Sequence, residues 1–551
     1  MRATRRACAS PSDDGKASFS AEEWLAFRRP YGQFAGLEDG PGIGTAVDKA
    51  ITRIVIVGGG TAGWLAAARI AAATAGSVTV TLIESPDVPT LGVGEGTWPT
   101  IRRTLERIGI TEIELLLACD GSFKQGTRFD GWATDANNDR YYHPFVPPID
   151  ADPADLPGNI PYALATCPQP LVCAEDLAPR QRGMPDYAGA LNYAYHLDAT
   201  KLAALLTRHV TTRLGVRHVR DHVTGVERGG DGGIAAVHTR GSGSVAGDLF
   251  LDCTGHAALL IGDALGVETV DASSILFNDR ALAVQLPVAP GSPVASQTVA
   301  TAHGAGWIWD IGLPTRRGIG CVYASAFMSD DEAEGVLAEY CRRIADDSPA
   351  PRRLTFRSAY RSRPWTANCL AIGQSAGFME PLEASAIVMI ELALDALLDD
   401  FPVDTGLMAI QARRFNALAT YRWERIVDFL KLHYVLSRRD EPYWRAHRDP
   451  ATIPDRLAEM LALWRYRSPS ALDLPMQDEL FPAASYRYIL WGMGFPAPLP
   501  SPVPRPHRPD LPSQLRQIDQ RGRALAASLP TNRAYLDALR AEQAPLSEKC
   551  A

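Results

Sequence analysis

None of the nine cysteines in this 551-residue chain belongs to a C-x-x-C pair, and they are spread widely from Cys8 to Cys550. A zinc ribbon needs close pairs and a secreted disulfide scaffold needs an even, dense set, so neither is expected. A reducing, cytoplasmic location and no metal site follow as expectations. No stretch reaches the roughly 18 apolar residues of a transmembrane helix, so no membrane partner is expected. Met1–Lys16 has no apolar segment of the kind a signal peptide carries. Basic excess is also missing: 55 Lys and Arg stand against 63 Asp and Glu, for a net charge of −8. That excludes a general nucleic-acid binder. There is no internal repeat, which removes solenoids and propellers.

What remains is ordinary globular chemistry, with 46% hydrophobic and 21% charged residues. The length allows three to four domain-sized units at about 150 residues each. Residues 1–48 are polar and broken by glycine and proline, and read as a flexible extension. Ile54-Val55-Ile56-Val57 is a β-branched run suited to a buried parallel strand. An Ala-rich helix from Trp64 to about Ala73 and a second strand, Val78–Glu84, complete a βαβ unit. Further on, Asp198–Arg213 reads as a helix and Asp248–Cys253 as a short strand. Residues 276–330 read as an antiparallel sheet. From Ala384 the pattern is helical, with Ile426, Phe429, Leu430 and His433 on one face. Eight prolines in residues 495–512 predict extended, polyproline-like chain.

Gly58, Gly60 and Gly63 fit G-x-G-x-x-G between the first strand and helix, with Thr61 and Ala62 inside the motif. Glycines there let the backbone turn tightly against a pyrophosphate, and the helix N-terminus stabilises its charge. Glu84 closes the second strand, where an acid binds a ribose hydroxyl. Three more strand-then-glycine ends follow: Gly92–Gly96, with Gly94 and Glu95 as candidate contacts, Asp252–Gly255, and Cys369–Gly373. Such ends, spread over some 300 residues, suit a long cofactor across one sheet, which favours FAD. No second G-x-G-x-x-G offers a nicotinamide site, so the flavin is not expected to be reduced by a bound NAD(P)H.

The sequence resembles the flavin-dependent halogenases of the tryptophan halogenase group over about residues 51–540. The resemblance rests on Gly58–Trp64, Gly92–Thr97, Gly121-Ser122-Phe123-Lys124, Gly306–Ile311 with its Trp-x-Trp-x-Ile motif, and Phe378–Glu383. Asp428-Phe429, His433-Tyr434, Ser437–Trp444 and Leu529–Asn532 continue it. It implies an α/β fold with a Rossmann-type, flavin monooxygenase-like FAD-binding domain. An added antiparallel sheet and a largely helical C-terminal region complete that fold. The corresponding bounds are 49–400 for the FAD domain with its inserted sheet and 401–551 for the helical region covering the substrate.

The resemblance also implies a two-component reaction. A separate NAD(P)H-dependent flavin reductase supplies reduced FAD (FADH2), oxygen forms a flavin hydroperoxide, and chloride or bromide becomes hypohalous acid. That acid reaches an active-site lysine, Lys124, which directs the halogen onto a small aromatic substrate. Glu383 is the implied carboxylate that stabilises the ring cation and takes its proton. Trp307 and Trp309 share one face of a strand and would wall a tunnel between flavin and substrate. His143 and Phe145 would stack on the substrate ring, and Phe481 is a further candidate.

Four departures from the family pattern stand out. Gly312 follows the Trp-x-Trp-x-Ile motif where Pro is usual, Ala384 replaces a serine, and the halide-holding Thr-Gly pair appears as Ser385-Ala386. Backbone amides survive such replacement. The stretch 471–481 lacks the tyrosine pair that grips free tryptophan, which favours an indole-type compound without the amino acid's ionic groups. An aromatic monooxygenase on the same fold, or a non-catalytic FAD-binding protein, are the alternatives. Substrate, halide, ring position and monomer versus homodimer stay open. The arginines at 352, 353, 357, 361 and 363 read as a solvated face.

Overall fold

The computed structural model describes residues 50–547 except 89–94, 137, 159, 346–347 and 500–507. The site-bearing elements, in chain order, begin with strand β1 (Arg53–Val57), helix α1 (Thr61–Thr74), β2 (Thr79–Glu84) and β3 (Glu95–Gly96). Next come β4 (Ser122–Lys124), β5 (Gly126–Asp130), β6 (Arg140–Pro144), β7 (Ala194–Leu197) and β8 (Gly306–Gly312). Three helices follow: α2 (Ser385–Asp399), α3 (Met408–Val435) and α4 (Ala483–Gly492).

A six-stranded sheet runs in the order Trp365–Thr366, Cys369–Ala371, Leu249–Asp252, β1, β2, Arg217–Arg220. It is parallel apart from the outer Trp365–Thr366 and Cys369–Ala371 hairpin. Ile54 and Ile56 of β1 feed one apolar core, while Val55 and Val57 feed another on the opposite face. That double burial explains why residues 54–57 are apolar at every position rather than alternating. Helix α1 follows Gly60 directly, three residues earlier than the Ala-rich stretch predicts.

The expected antiparallel sheet is present and larger than residues 276–330 predict. Its order is Arg352–Thr355, Arg280–Pro287, Arg316–Tyr323, β8, Thr298–His303, β5, β6. The added strands β5 and β6 join through a parallel pairing of Thr298–Thr301 with Thr127–Asp130. A third, three-stranded sheet, β3-β7-β4, sets Gly96 opposite His196 and Lys124 opposite Ala194.

No strand follows Phe378 among the described residues. Ile426, Phe429, Leu430 and His433 are all fully buried, as one face of α3 should be. The polyproline expectation for 495–512 is corrected at its end. A helix starts at Leu511 with Pro512 in its first turn, where proline's missing N–H is not needed. Residues 500–507 of that stretch and the extension 1–48 lie outside the described residues. No helix among the described residues is long and apolar enough to cross a membrane. The seven described cysteines are all buried and free.

Candidate active site

The glycine loop has the shape of a cradle. Gly58 has φ +113°, and a Cβ there would lie 2.1 Å from the Cys253 carbonyl oxygen. A Cβ on Gly63 would lie 1.9 Å from the Gly58 oxygen, so both positions require glycine. Gly60 faces open space, with nothing within 4 Å of its would-be Cβ. Beyond it, α1 begins with no side-chain cap, so its first-turn amides are free to meet an anion. Glu84 is pressed against Gly59 and bonds His218 Nε2 at 2.8 Å. Gly373 (φ +75°) packs against Ala62, with its would-be Cβ 2.7 Å from that methyl group. The loop, Glu84 and Gly373 thus all lie at the C-terminal ends of the sheet's inner strands, and their shapes fit a dinucleotide. Glu95 is half-buried, and burial pushes its carboxyl up to about 7. Gly94 lies outside the described residues.

Lys124, at the end of β4, is 1% exposed. Its Nζ makes no hydrogen bond among the described residues; it lies 5.5 Å over the Phe145 ring. Gly96 leaves room beside it: a Cβ there would be 3.2 Å from Lys124 Nζ and 3.4 Å from Ala384 Cβ. Burial lowers the Lys124 amine to about 8, opposed by the charge of Glu383. His196, across the small sheet, is held neutral by burial and by Lys124, with Nε2 on Thr298 Oγ1 at 2.8 Å. Two tethers fix the β4 end. Ser122 Oγ donates to the Gly312 carbonyl at 2.6 Å, and the Gln125 amide donates to the Ser296 carbonyl at 2.7 Å. The glycine that replaces the family's proline is therefore the residue that ties the tryptophan strand to the lysine strand.

Glu383 sits in a turn with left-handed backbone at two successive non-glycine residues, φ +63° there and +53° at Ala384. Each such residue costs on the order of 1–3 kcal/mol and persists only where its surroundings impose it. Trp98 Nε1 donates to the Glu383 carbonyl at 2.8 Å. On the carboxylate, Oε1 meets His143 Nδ1 at 2.8 Å and His433 Nε2 at 3.4 Å. Oε2 has no partner among the described residues and is not sealed off. Burial pushes this carboxyl up, but the two histidines outweigh it and hold it well below the usual range. It is an ionised acid with one oxygen committed and one free.

His143 bonds Ser485 Oγ with Nε2 at 2.9 Å, so both its ring nitrogens are committed to protein partners. The sequence reading assigned it only to stacking and missed its contact with Glu383. Phe145 is half-buried beside Lys124. Phe481 is 1% exposed and stacks on Phe429 at 3.7 Å, with its edge toward Trp98. One of its faces is therefore already occupied. Trp307 and Trp309 are buried on the same side of β8. Gly320 across the pairing lets the Trp309 indole lie flat, because a Cβ there would come within 2.0 Å of it. Ser385 and Ala386 open α2, whose N-cap Ala384 supplies no side-chain acceptor, so their amides are available to an anion.

His433, Ser485, Trp98 and Gly96 were not singled out as site residues by sequence. His433 carried a signal in its place on the buried face of α3, and Gly96 in the Gly92–Gly96 motif; Ser485 and Trp98 carried none. Of the five arginines, Arg353 pairs with Asp330 and Glu334 and Arg357 with Asp271 at the surface, and Arg352 and Arg363 are exposed. Arg361 departs from the solvated-face reading, half-buried on the Ser375 and Val267 carbonyls.

A family model described as tryptophan halogenase matches residues 53–505. The chain is 32% identical over 534 residues to tryptophan 7-halogenase RebH of Lentzea aerocolonigenes, covering 88% of this chain and 98% of that one. The crystal structure of a tryptophan halogenase from Shewanella frigidimarina superposes with a TM-score of 0.85 at 43% identity, covering 90% and 98% of the two chains. BrvH, a flavin-dependent halogenase from Brevundimonas sp. BAL3, superposes with a TM-score of 0.76 at 32% identity, covering 89% and 99%. The Rossmann-type α/β fold, the matched length and the identity lead to one conclusion: the chain belongs to the tryptophan halogenase family of flavin-dependent enzymes.

Proposed function

We propose that the protein halogenates an electron-rich, indole-type aromatic compound, with Lys124 and Glu383 at the reacting atoms. The observation that carries this reading is the pair of free polar atoms, Lys124 Nζ and Glu383 Oε2, in one buried site flanked by Phe145 and Trp98. FAD, when bound in reduced form, supplies with oxygen the two-electron oxidation of chloride or bromide. Gly58, Gly60, Thr61, Ala62, Gly63, Glu84, Glu95 and Gly373 would hold it, with Gly94, outside the described residues, as a further candidate by sequence. The amides of Ser385 and Ala386 hold the halide. Because the chain has one G-x-G-x-x-G, a separate NAD(P)H-dependent reductase delivers the reduced flavin.

Lys124 acts as an ammonium. Its N–H donates to the oxygen of hypohalous acid and draws density from the oxygen–halogen bond. The ring attacks the halogen, and a carbon–halogen bond replaces the oxygen–halogen bond. The departing oxygen takes a proton from the Lys124 ammonium and leaves as water. The ring proton passes to Glu383 Oε2, from which the amine is reprotonated. The net change is HOX + ArH giving ArX + H2O. Trp307 and Trp309 keep the ring away from the flavin, and His143 and Phe145 border the ring's position.

The absence of an ionic grip supports a substrate without an amino acid's charges. Asp473 bonds the Trp464 indole and the Ser470 amide and pairs with Arg467. Glu479 accepts from Tyr421 and from the Met476 amide. Two of the three acids of the 471–481 stretch, Asp473 and Glu479, are thus committed within the protein, and the third, Asp478, is exposed.

The test is mass spectrometry of an aromatic panel with reductase, FAD, NADH, oxygen and bromide or chloride. Halogen isotope patterns on indoles that vanish in Lys124→Ala support the proposal. Oxygenated products independent of halide and of Lys124 overturn it.

A further inference from the structure

Behind Glu383 lies a second buried layer. His433 is fully buried on α3, among Phe129 (stacked at 4.9 Å), Trp132 (5.7 Å) and Phe429 (5.4 Å). Its Nδ1 lies 2.8 Å from the Tyr141 hydroxyl. Its Nε2 has no full hydrogen bond among the described residues and is 3.4 Å from Glu383 Oε1. Tyr141, on β6 two residues before His143, is 3% exposed, and burial keeps it a phenol. Among the described residues its hydroxyl's hydrogen-bond partner is His433 Nδ1. A phenol donating to Nδ1 leaves the neutral imidazole's proton on Nε2, the nitrogen that faces Glu383.

We propose that Tyr141 and His433 form a positioning pair that fixes an Nε2–H tautomer against Glu383 Oε1. The pair holds the carboxylate ionised and its Oε2 turned toward the substrate. This inference rests on the reading of Glu383 as the group that takes the ring proton. The groups facing Glu383 are His143 from β6, His433 from α3 and Lys124 from β4. Those facing His433 are Glu383, His143 and Tyr141. Without the tyrosine donor, the histidine proton is free to sit on Nδ1, and the Nε2 lone pair then faces a carboxylate oxygen. That arrangement repels, and it favours protonation of the acid.

The test combines ring-nitrogen NMR of histidine-labelled protein with pH–rate profiles of the full enzyme. Resonances of His433 are assigned by their loss in His433→Gln. Wild type is expected to show a neutral Nε2–H ring near pH 7, and Tyr141→Phe a shift toward Nδ1–H. The acid limb of kcat should move up by about one pH unit in Tyr141→Phe with KM little changed, since an ionised acid is the working form. His433→Gln, whose amide still donates, should stay within about threefold of wild type, while His433→Leu falls by about tenfold or more. A wild-type tautomer and pH profile in Tyr141→Phe overturn the inference. If Tyr141→Phe does not fold, equal rates for His433→Gln and His433→Leu overturn it instead. An absence of halogenated product from wild type would instead overturn the reading of Glu383, while the tautomer measurement still decides the arrangement of the pair.

Discussion

Trp307 donates its indole N–H to Glu380 Oε2 across 3.1 Å, and Glu380 stands three residues before Glu383. The same oxygen accepts from Tyr434 at 2.8 Å and from Asn278 at 2.5 Å. The short turn that carries the proposed acid is thus anchored to the proposed tunnel wall.

Removal of that anchor should be felt in stability. Glu380→Ala strands three buried donors and leaves a cavity, and a loss of about 3–5 kcal/mol is expected. Glu380→Gln keeps an acceptor and should lose less than about 2 kcal/mol. Denaturant unfolding measures both. In the milder variant, less halogenated product per NADH consumed would show that the wall also acts in coupling.

Lys124 should trade stability for chemistry. Its amine titrates near 8 in the folded protein against 10.5 for an ordinary lysine, because burial disfavours the charge. The folded state therefore carries a charging penalty that is full below pH 8. It is relieved as pH rises toward 10.5, where the unfolded chain also gives up its proton. Lys124→Met should be more stable than wild type by on the order of 2–3 kcal/mol at pH 7, with the gain gone by about pH 10.5. Wild-type halogenation should decline as pH rises through about 8, as the ammonium is lost. A rate that climbs there would point to the neutral amine.

Gly96 sets the space between Lys124 and the Glu383 turn. A Cβ on Gly96 would be 3.2 Å from Nζ, so in Gly96→Ala the lysine tip must give by a few tenths of an ångström, while Ala384 at 3.4 Å stays in ordinary contact. A misplacement of about an ångström costs on the order of a hundredfold in rate, so a shift of a few tenths should cost several-fold. The expected outcome is a several-fold fall in kcat with FAD affinity kept, read by turnover and by flavin titration. An unchanged kcat would mean that Lys124 reorients freely.

The frame of the molecule could be read from local patterns. The β1 run, the glycine loop and Glu84 form a contiguous unit whose alternation and turn chemistry are set by neighbours in sequence. Helix α3 likewise showed its buried face through the spacing of Ile426, Phe429, Leu430 and His433. The contacts around Glu383 were not readable in this way. His143 and His433 lie on other elements and meet Glu383, with Ser485 bonded to His143 behind it, only when β6, α3 and α4 close over the turn. Strands β5 and β6 were also missed, because their place depends on the non-local pairing with Thr298–Thr301. Neither a buried histidine's partner nor the left-handed turn at Glu383-Ala384 has a period or a motif. Both are products of tertiary packing.

Two glycines of one loop should separate folding from cofactor binding. Gly58 has positive φ and no room, so Gly58→Ala strains the backbone against Cys253 and should destabilise the parallel sheet. Gly60 has open space around its Cβ, so Gly60→Ala should leave the thermal midpoint within about 2 °C. Its methyl group then projects toward the proposed pyrophosphate position, where close backbone approach is needed. FAD affinity of Gly60→Ala should fall by about tenfold or more, measured by quenching of flavin fluorescence. If Gly60→Ala binds FAD as wild type does, the cofactor does not approach this loop, and the assignment of the glycine cradle fails while the fold stands.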